Sequence, residues 1–183
     1  TFVRNPYDRL LSAYKSKVGI WGNEYQWLQD EIKAEYDYPV HPQGWKAIPA
    51  FRDFVRYLIA NWSRLGSDGH FNLQSNILMQ DIVRYDSIKW YWFYVEEFRK
   101  ILVRLGAPPE VRDRVAVRYN VTLPIHHPLA YDRGLADVVY EHYRQDFEAF
   151  GFDRHSWLYD SDSPGTTSHV TGVLERLRDA PVE

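Results

Sequence analysis

The chain has 183 residues, 45% of them hydrophobic, which is enough for one domain with one core. Its formal net charge of -3 argues against a binder of duplex nucleic acid, because such proteins usually present a basic face. The sequence has no cysteine, which excludes a disulfide framework and a thiolate metal site, and no apolar run approaches the roughly 20 residues of a membrane span.

The first residues predict a strand followed by a helix. Thr1 to Arg4 is apolar enough for a short strand, and Asn5-Pro6 is a helix start, since Asn can cap and Pro suits the first helical position. We expect this helix to run to about Lys17. A domain rarely opens inside its own core strand, so we also expect further sequence upstream of Thr1.

The next stretch predicts two helices separated by a loop. A helix is expected over about 24–35, with Trp27 on its apolar face. Three prolines and a glycine predict an exposed loop over 36–49, and Pro49 then begins a strongly amphipathic helix. The segment 66–69, Gly-Ser-Asp-Gly, predicts a turn.

The second half of the chain alternates between the two kinds of element. Strands are predicted over 82–92 and 115–121 from their alternation and β-forming residues. Helices are predicted over about 95–105 and 134–150, each followed by a glycine that suits a helix end.

Alternating strands and helices favour an α/β fold with a largely parallel sheet. We expect residues 1–160 to form one domain. Residues 161–183 are rich in Ser, Thr, Gly and charge, and we expect a polar tail with at most one short helix.

The junction between the first strand and its helix is a candidate anion site. Arg4 stands at the carboxyl end of the strand, the edge where parallel α/β sheets bind ligands. The free amides of the following helix attract anions, and the Arg fork can grip a phosphate. Ser12 could add a hydroxyl donor. On spacing alone, an Arg4 paired with a nearby acid and an ordinary helical Ser12 is the favoured interpretation.

The stretch TFVRNPYDRLLSAYKSK resembles the 3′-phosphate-binding motif of sulfotransferases that use PAPS (3′-phosphoadenosine 5′-phosphosulfate). In that family a strand ends in Val-Arg-Asp-Pro, followed by an aromatic residue, an acid, Arg-Leu and Ser-Ala-Tyr. The family's Asp is Asn5 here. The matching positions are Val3, Arg4, Pro6, Tyr7, Asp8, Arg9, Leu10, Ser12, Ala13 and Tyr14. The resemblance implies that Arg4 and Ser12 bind the 3′-phosphate of PAPS.

A second segment resembles the His-Trp-x-Pro-Gln element of carbohydrate sulfotransferases. His70 and Gln74 match it, while Phe71 and Leu73 replace Trp and Pro. The resemblance makes His70 and Gln74 candidates for substrate binding. His70 is also our candidate catalytic base, because a loop histidine can accept a proton near neutral pH; a hydrogen bond within the loop or packing on Phe71 is the alternative. Weaker similarities follow in the family's order at 50–58, 85–88, 120–122 and 139–152.

The resemblance implies a P-loop-like sulfotransferase fold, with a mainly parallel sheet flanked by helices and the N-terminal part missing. It implies PAPS as donor, a carbohydrate or small hydroxylated acceptor, and no required metal. The family's 5′-phosphosulfate loop, of Pro-Lys-x-Gly-x-Ser/Thr type, should precede Thr1, and the glycines at 66–69 have no Lys beside them. This chain alone would then be inactive. The alternative is a catalytically inactive nucleotide- or glycan-binding domain.

The lack of cysteine favours a cytoplasmic, bacterial protein, with the Golgi lumen as the alternative location.

Three other features are weaker functional candidates. Glu96 and Glu97 are neighbours on a predicted helix, where a solvated face is the simpler interpretation. His126 and His127 lie in a Pro-flanked loop, and the aromatic run 90–94 fits either a ring-binding platform or a buried strand.

Overall fold

Helices and one short pair of parallel strands make up the regular structure of the described residues. The computed structural model describes residues 1–19, 25–39, 47–79, 83–85, 87–90, 94–116 and 130–158. The strands are β1 (Phe2–Val3) and β2 (Lys89–Trp90). The helices in chain order are α1 (Pro6–Lys17), α2 (Gln26–Glu35), α3 (Phe51–Ala60), α4 (Trp62–Leu65), α5 (Gln74–Leu78), α6 (Tyr94–Arg104), α7 (Pro109–Asp113) and α8 (Arg133–Phe150). Short 3-10 turns occupy Arg114–Ala116 and Ser156–Leu158.

The two strands lie side by side at the start of the chain. β1 pairs in parallel with β2, so that Phe2 faces Lys89 and Val3 faces Trp90. The strand predicted over 82–92 is therefore confined to β2 within the described residues. The larger parallel sheet stays a prediction, because the described part of the chain contains this pair and no further strand.

Helix α1 begins where the sequence predicts it. The side chain of Asn5 accepts a hydrogen bond from the backbone N–H of Tyr7 at 3.0 Å, which satisfies one of the free amides of the first turn. Its Nδ2 group also donates to Oγ of Ser156 at 2.7 Å. The cap residue thus fixes both the start of α1 and the segment that follows α8.

The core lies between α1, α3 and α8, with α2 and the segment before α5 packed against it. Tyr7 is fully buried, and its ring packs edge-on against Phe147 and Tyr131 at centroid distances of 4.9 and 5.1 Å. Core residues include Val3, Tyr7, Leu10, Leu11, Val18, Leu28, Ile32, Phe54, Val55, Leu58, Phe71, Leu135, Ala136, Val139, Tyr143 and Phe147.

The Tyr7 hydroxyl lies between two backbone carbonyls at the core's edge. It is 2.8 Å from the carbonyl oxygen of Arg154 and 3.2 Å from that of Ala136. Burial, together with the nearby Asp137 carboxylate, raises the pKa of the phenol above its usual value, so the hydroxyl stays a donor. These contacts fasten α1 to both ends of the α8 region.

Most helix predictions are confirmed, and one strand and one side chain differ from the prediction. Val115 and Ala116, predicted to begin a strand, lie in a 3-10 turn, and the rest of that predicted strand lies outside the described residues. Trp27, predicted on the buried face of α2, is 46% exposed. Its helix buries Leu28 and Ile32, and the ring of Trp27 instead stacks beside Tyr25.

Two further predictions concern the chain's ends and its relation to membranes. The polar tail at 161–183 and the domain boundary near 160 lie outside the described residues. Among the helices that are described, none has the length and apolar character needed to cross a bilayer.

The Tyr7 hydroxyl gives a direct test of this packing. We expect Tyr7→Phe to lower the free energy of unfolding by about 1–2 kcal/mol, because buried carbonyls lose their donor while the ring stays in place. Urea unfolding measures the change. Tyr140→Phe is the matched control, since the Tyr140 ring packs on Phe147 and its hydroxyl donates to no described residue; equal losses in both variants would contradict the assignment.

Candidate functional site

Arg4 lies at the junction between β1 and α1. It is partly buried and follows Val3, the last residue of β1, two positions before α1 begins. The N-terminal amides and the positive end of the helix dipole therefore lie beside it. This is the location that the sequence predicts for an anion site.

One side of α1 carries the groups that could act with Arg4. Asp8, Ser12 and Lys15 are spaced by four and three residues, so their side chains share one side of the helix. Ser12 is partly buried, and its hydroxyl donates to no other residue in the described part of the chain. By contrast, the Ser16 hydroxyl donates to the carbonyl of Ala13 on its own helix.

Positive charges lie close together at this junction. Burial lowers the pKa of the Lys15 ammonium below its usual value, and the nearby Arg4 charge lowers it further, while Asp8 opposes both. Burial also lowers the pKa of Arg9, with a smaller contribution from Arg4. The structure thus brings Lys15 near Arg4. The sequence did not single out Lys15 as a site residue.

Arg9 fixes the loop that carries His70. Its two terminal nitrogens donate to the carbonyls of Asn72 and Gly69, the latter at 2.7 Å. Tyr143, on α8, donates its hydroxyl to the carbonyl of Phe71 at 2.7 Å. The loop is therefore held from α1 on one side and from α8 on the other.

His70 is exposed within this anchored loop. Its backbone N–H donates to Oδ1 of Asp68 at 2.8 Å, and its ring meets the edge of the Tyr25 ring at 6.2 Å. The next residue, Phe71, is 1% exposed and packs into the core. An anchored backbone with an exposed imidazole is compatible with a role on substrate, and His70 stays a prediction as base and as substrate-binding residue.

Gln74 contacts Arg4 directly, across 70 positions of sequence. The backbone N–H of Arg4 donates to Oε1 of Gln74 at 2.8 Å, and Nε2 of Gln74 donates to the Arg4 carbonyl at 2.7 Å. Two sequence-predicted residues are thus brought together. Direct substrate binding by Gln74 stays a prediction.

Asp146 is the residue that sequence reasoning missed. It is fully buried on α8, and its carboxylate accepts from the backbone N–H of Gln74 at 2.7 Å, the N–H of Ser75 at 2.9 Å and the Ser75 hydroxyl at 2.7 Å. Its Asp-Phe pair belongs to the closing helix that resembles the family. That resemblance was the available signal, but nothing in it assigned a role.

The other sequence candidates do not join this cluster. Glu96 and Glu97 both pair with Lys100, each at 2.8 Å, on the surface of α6, which confirms a solvated helix face. His126 and His127 lie outside the described residues. Within the described ranges, no group of three or more acidic or histidine side chains could hold a metal ion.

A small cavity elsewhere on the surface is a separate feature. It has a volume of about 110 Å³ and is lined by Arg52, Arg56, Asp132, Gly134, Leu135 and Val138. Arg52 is ion-paired with Asp132 there. None of the predicted site residues lines it.

The chain is similar to known sulfotransferases. The model of the sulfotransferase family matches residues 1–153. Carbohydrate sulfotransferase 14 of Mus musculus and that of Homo sapiens are each 28% identical over 155 residues, which is 82% of this chain and 41% of those proteins. Carbohydrate sulfotransferase 9 of Homo sapiens is 23% identical over 165 residues, covering 82% of this chain and 36% of that protein. The chain spans less than half the length of these curated relatives. No solved structure matched at a comparable significance.

Arg9 should control the order of the loop. We expect Arg9→Met to cost about 1.5–3 kcal/mol in the free energy of unfolding, because two carbonyls lose a charged donor. Amide hydrogen exchange should quicken at Phe71 and Asn72, whose N–H groups both donate to the carbonyl of Asp68. Both readouts are needed, since a global loss of stability would quicken exchange throughout the chain.

The matched control is Arg144→Met, which removes an exposed ion pair with Glu141 on α8. Such surface pairs contribute about 0–1 kcal/mol. Unchanged exchange at Phe71 and Asn72 in Arg9→Met would show that Arg9 does not hold the loop.

Proposed function

The chain belongs to the sulfotransferase family, and from that premise we propose that the protein transfers a sulfonate group from PAPS to a hydroxyl of a carbohydrate or small acceptor. The 3′-phosphate of the donor binds at the β1–α1 junction, through Arg4 and Ser12. The carbohydrate class is supported by the similarity to carbohydrate sulfotransferases 14 and 9.

One observation carries the proposal: the site gathers cations and free donors where an anion would bind. Burial lowers the pKa of the Lys15 ammonium, the nearby Arg4 charge lowers it further and Asp8 opposes both, and a bound phosphate would favour the charged form of Lys15. Ser12 lies between Asp8 and Lys15 on the same side of α1, with its hydroxyl available to a ligand. The helix N-terminus supplies further donors.

The proposed reaction needs positioning and charge stabilisation more than covalent chemistry by the protein. An acceptor hydroxyl oxygen bonds to sulfur, the bond from sulfur to the bridging phosphate oxygen breaks, and the acceptor proton leaves to a base. Arg4 and Ser12 would hold the donor by its 3′-phosphate, so that the sulfonate meets the acceptor in line. His70, exposed on the loop anchored by Arg9, would take the proton, and no metal is needed for these steps.

The finer fold follows from the same premise. We propose that β1 and β2 are neighbours in a mainly parallel, P-loop-like sheet, supported by their parallel register. The inactive alternative gains no support from the comparisons, whose curated matches are named as sulfotransferases. The cytoplasmic and Golgi-lumenal locations both stay predictions.

The nucleotide site can be tested by calorimetric titration with adenosine 3′,5′-bisphosphate. We expect Arg4→Ala to weaken binding about 10–100-fold, since a charged hydrogen-bonding partner contributes about 1.5–3 kcal/mol. Ser12→Ala should weaken it about 5-fold, as one neutral hydrogen bond is lost. Ser16→Ala is the control on the same helix, and its hydroxyl is already bonded to Ala13. Equal affinity in wild type and Arg4→Ala would refute the site.

The proposed base can be tested in the full-length protein by transfer of labelled sulfonate at saturating PAPS. We expect His70→Gln to lower the rate about 100- to 10,000-fold, the usual contribution of a general base, with unchanged affinity for adenosine 3′,5′-bisphosphate. His155→Gln is a close control, because His155 is also exposed and its N–H also donates to the Asp two positions earlier, at 2.8 Å. A full rate in His70→Gln would assign the base elsewhere.

A further inference from the structure

Gln74 holds the backbone of Arg4 as a neighbouring strand would. Its amide oxygen accepts from the Arg4 N–H at 2.8 Å and its amide nitrogen donates to the Arg4 carbonyl at 2.7 Å. Arg4 comes directly after Val3, the last residue of β1. The side chain of Gln74 therefore makes the two hydrogen bonds that a neighbouring strand would make, on the residue that carries the guanidinium.

Gln74 is itself fixed by a buried carboxylate. Asp146 is fully buried and receives three hydrogen bonds, from the N–H groups of Gln74 and Ser75 and from the Ser75 hydroxyl. A buried carboxylate is costly to leave without donors, so this arrangement resists displacement. Gln74 is only 8% exposed, which also restricts its side chain.

The residues leading to Gln74 are anchored independently. Tyr143 holds the carbonyl of Phe71 and Arg9 holds that of Asn72. Two helices therefore determine where Gln74 lies, α8 through Asp146 and Tyr143 and α1 through Arg9. The burial of Phe71 in the core adds a third constraint. A side chain held this firmly can set the backbone angles of the residue it binds.

We propose that Gln74, fixed by Asp146, is the positioning residue for Arg4 and thereby sets the protein's preference for a nucleotide with a 3′-phosphate. This inference rests on the proposed function. A guanidinium grips phosphate in a narrow range of geometries, and a displacement of about 1 Å can cost on the order of 100-fold. Gln74 acts on the donor through the backbone of Arg4, and Asp146 acts through Gln74.

The test is discrimination between two nucleotides, which separates positioning from general stability. Titration compares adenosine 3′,5′-bisphosphate with adenosine 5′-monophosphate, which lacks the 3′-phosphate. The affinity ratio is the affinity for the bisphosphate divided by that for the monophosphate. We expect Gln74→Met, whose side chain is similar in length but makes no hydrogen bonds, to reduce this ratio about 10-fold. Gln29→Met is the matched control, because Gln29 is also 8% exposed but lies on α2; its ratio should equal that of wild type.

A double variant tests the coupling. If Gln74 works through Arg4, Arg4→Ala should reduce the ratio much less in the Gln74→Met background than in wild type. Asp146→Asn weakens the same arrangement at its α8 end, and we again expect a reduced affinity ratio. This variant tests the inference if Gln74→Met does not fold.

The outcomes separate the inference from the function it rests on. Suppose that Arg4→Ala loses the discrimination between the two nucleotides, while Gln74→Met keeps it or weakens the binding of both nucleotides equally. Gln74 is then a structural residue only, and the inference fails while the proposed function stands. If wild type itself does not discriminate, the 3′-phosphate site is wrong and the inference falls with it.

Discussion

The buried carboxylate of Asp146 joins parts of the molecule that are far apart in the sequence. A fully buried acid needs donors, and here all three come from the first turn of α5. Since Asp146 belongs to α8, the start of α5 must lie where α8 places it. Gln74 then reaches the end of β1, so the position of Arg4 depends on a carboxylate that a ligand need never touch.

Helix α1 serves the core and the candidate site at once. Tyr7, Leu10 and Leu11 are buried against α3 and α8, which fixes the helix along its length. Ser12 and Lys15 are only partly buried, and Lys15 lies near enough to Arg4 to be affected by its charge. Because close-packed interiors tolerate little movement, the packing of one side of α1 determines where the donors on the other side lie.

The electrostatics of the junction fit a site built for an anion. Burial disfavours the charged form of Lys15, the Arg4 charge adds to this, and Asp8 opposes both. A phosphate bound beside Arg4 and Lys15 would favour the charged form of Lys15.

The sequence by itself determined the local features of this protein. Asn5-Pro6 specified the start of α1, Gly151 the end of α8, and the strand–Arg–helix order placed Arg4 and Ser12 at a possible anion site. These follow from neighbouring residues, whose capping and spacing are short-range effects. Trp27 shows the limit of prediction from local sequence. Helical spacing indicates only roughly which side chains of α2 face the core, and in the folded chain Leu28 and Ile32 are buried while the indole of Trp27 is exposed.

The tertiary structure alone decided how the distant pieces meet. No local rule links Gln74 to Arg4, or Asp146 to Ser75, because each contact joins residues about 70 positions apart. Such contacts form when the packing of α8 on α1 and α3 brings polar groups together in the interior, where each must find a partner. The sequence could name Arg4 as a candidate, and only the folded chain shows that Gln74 holds its backbone in place.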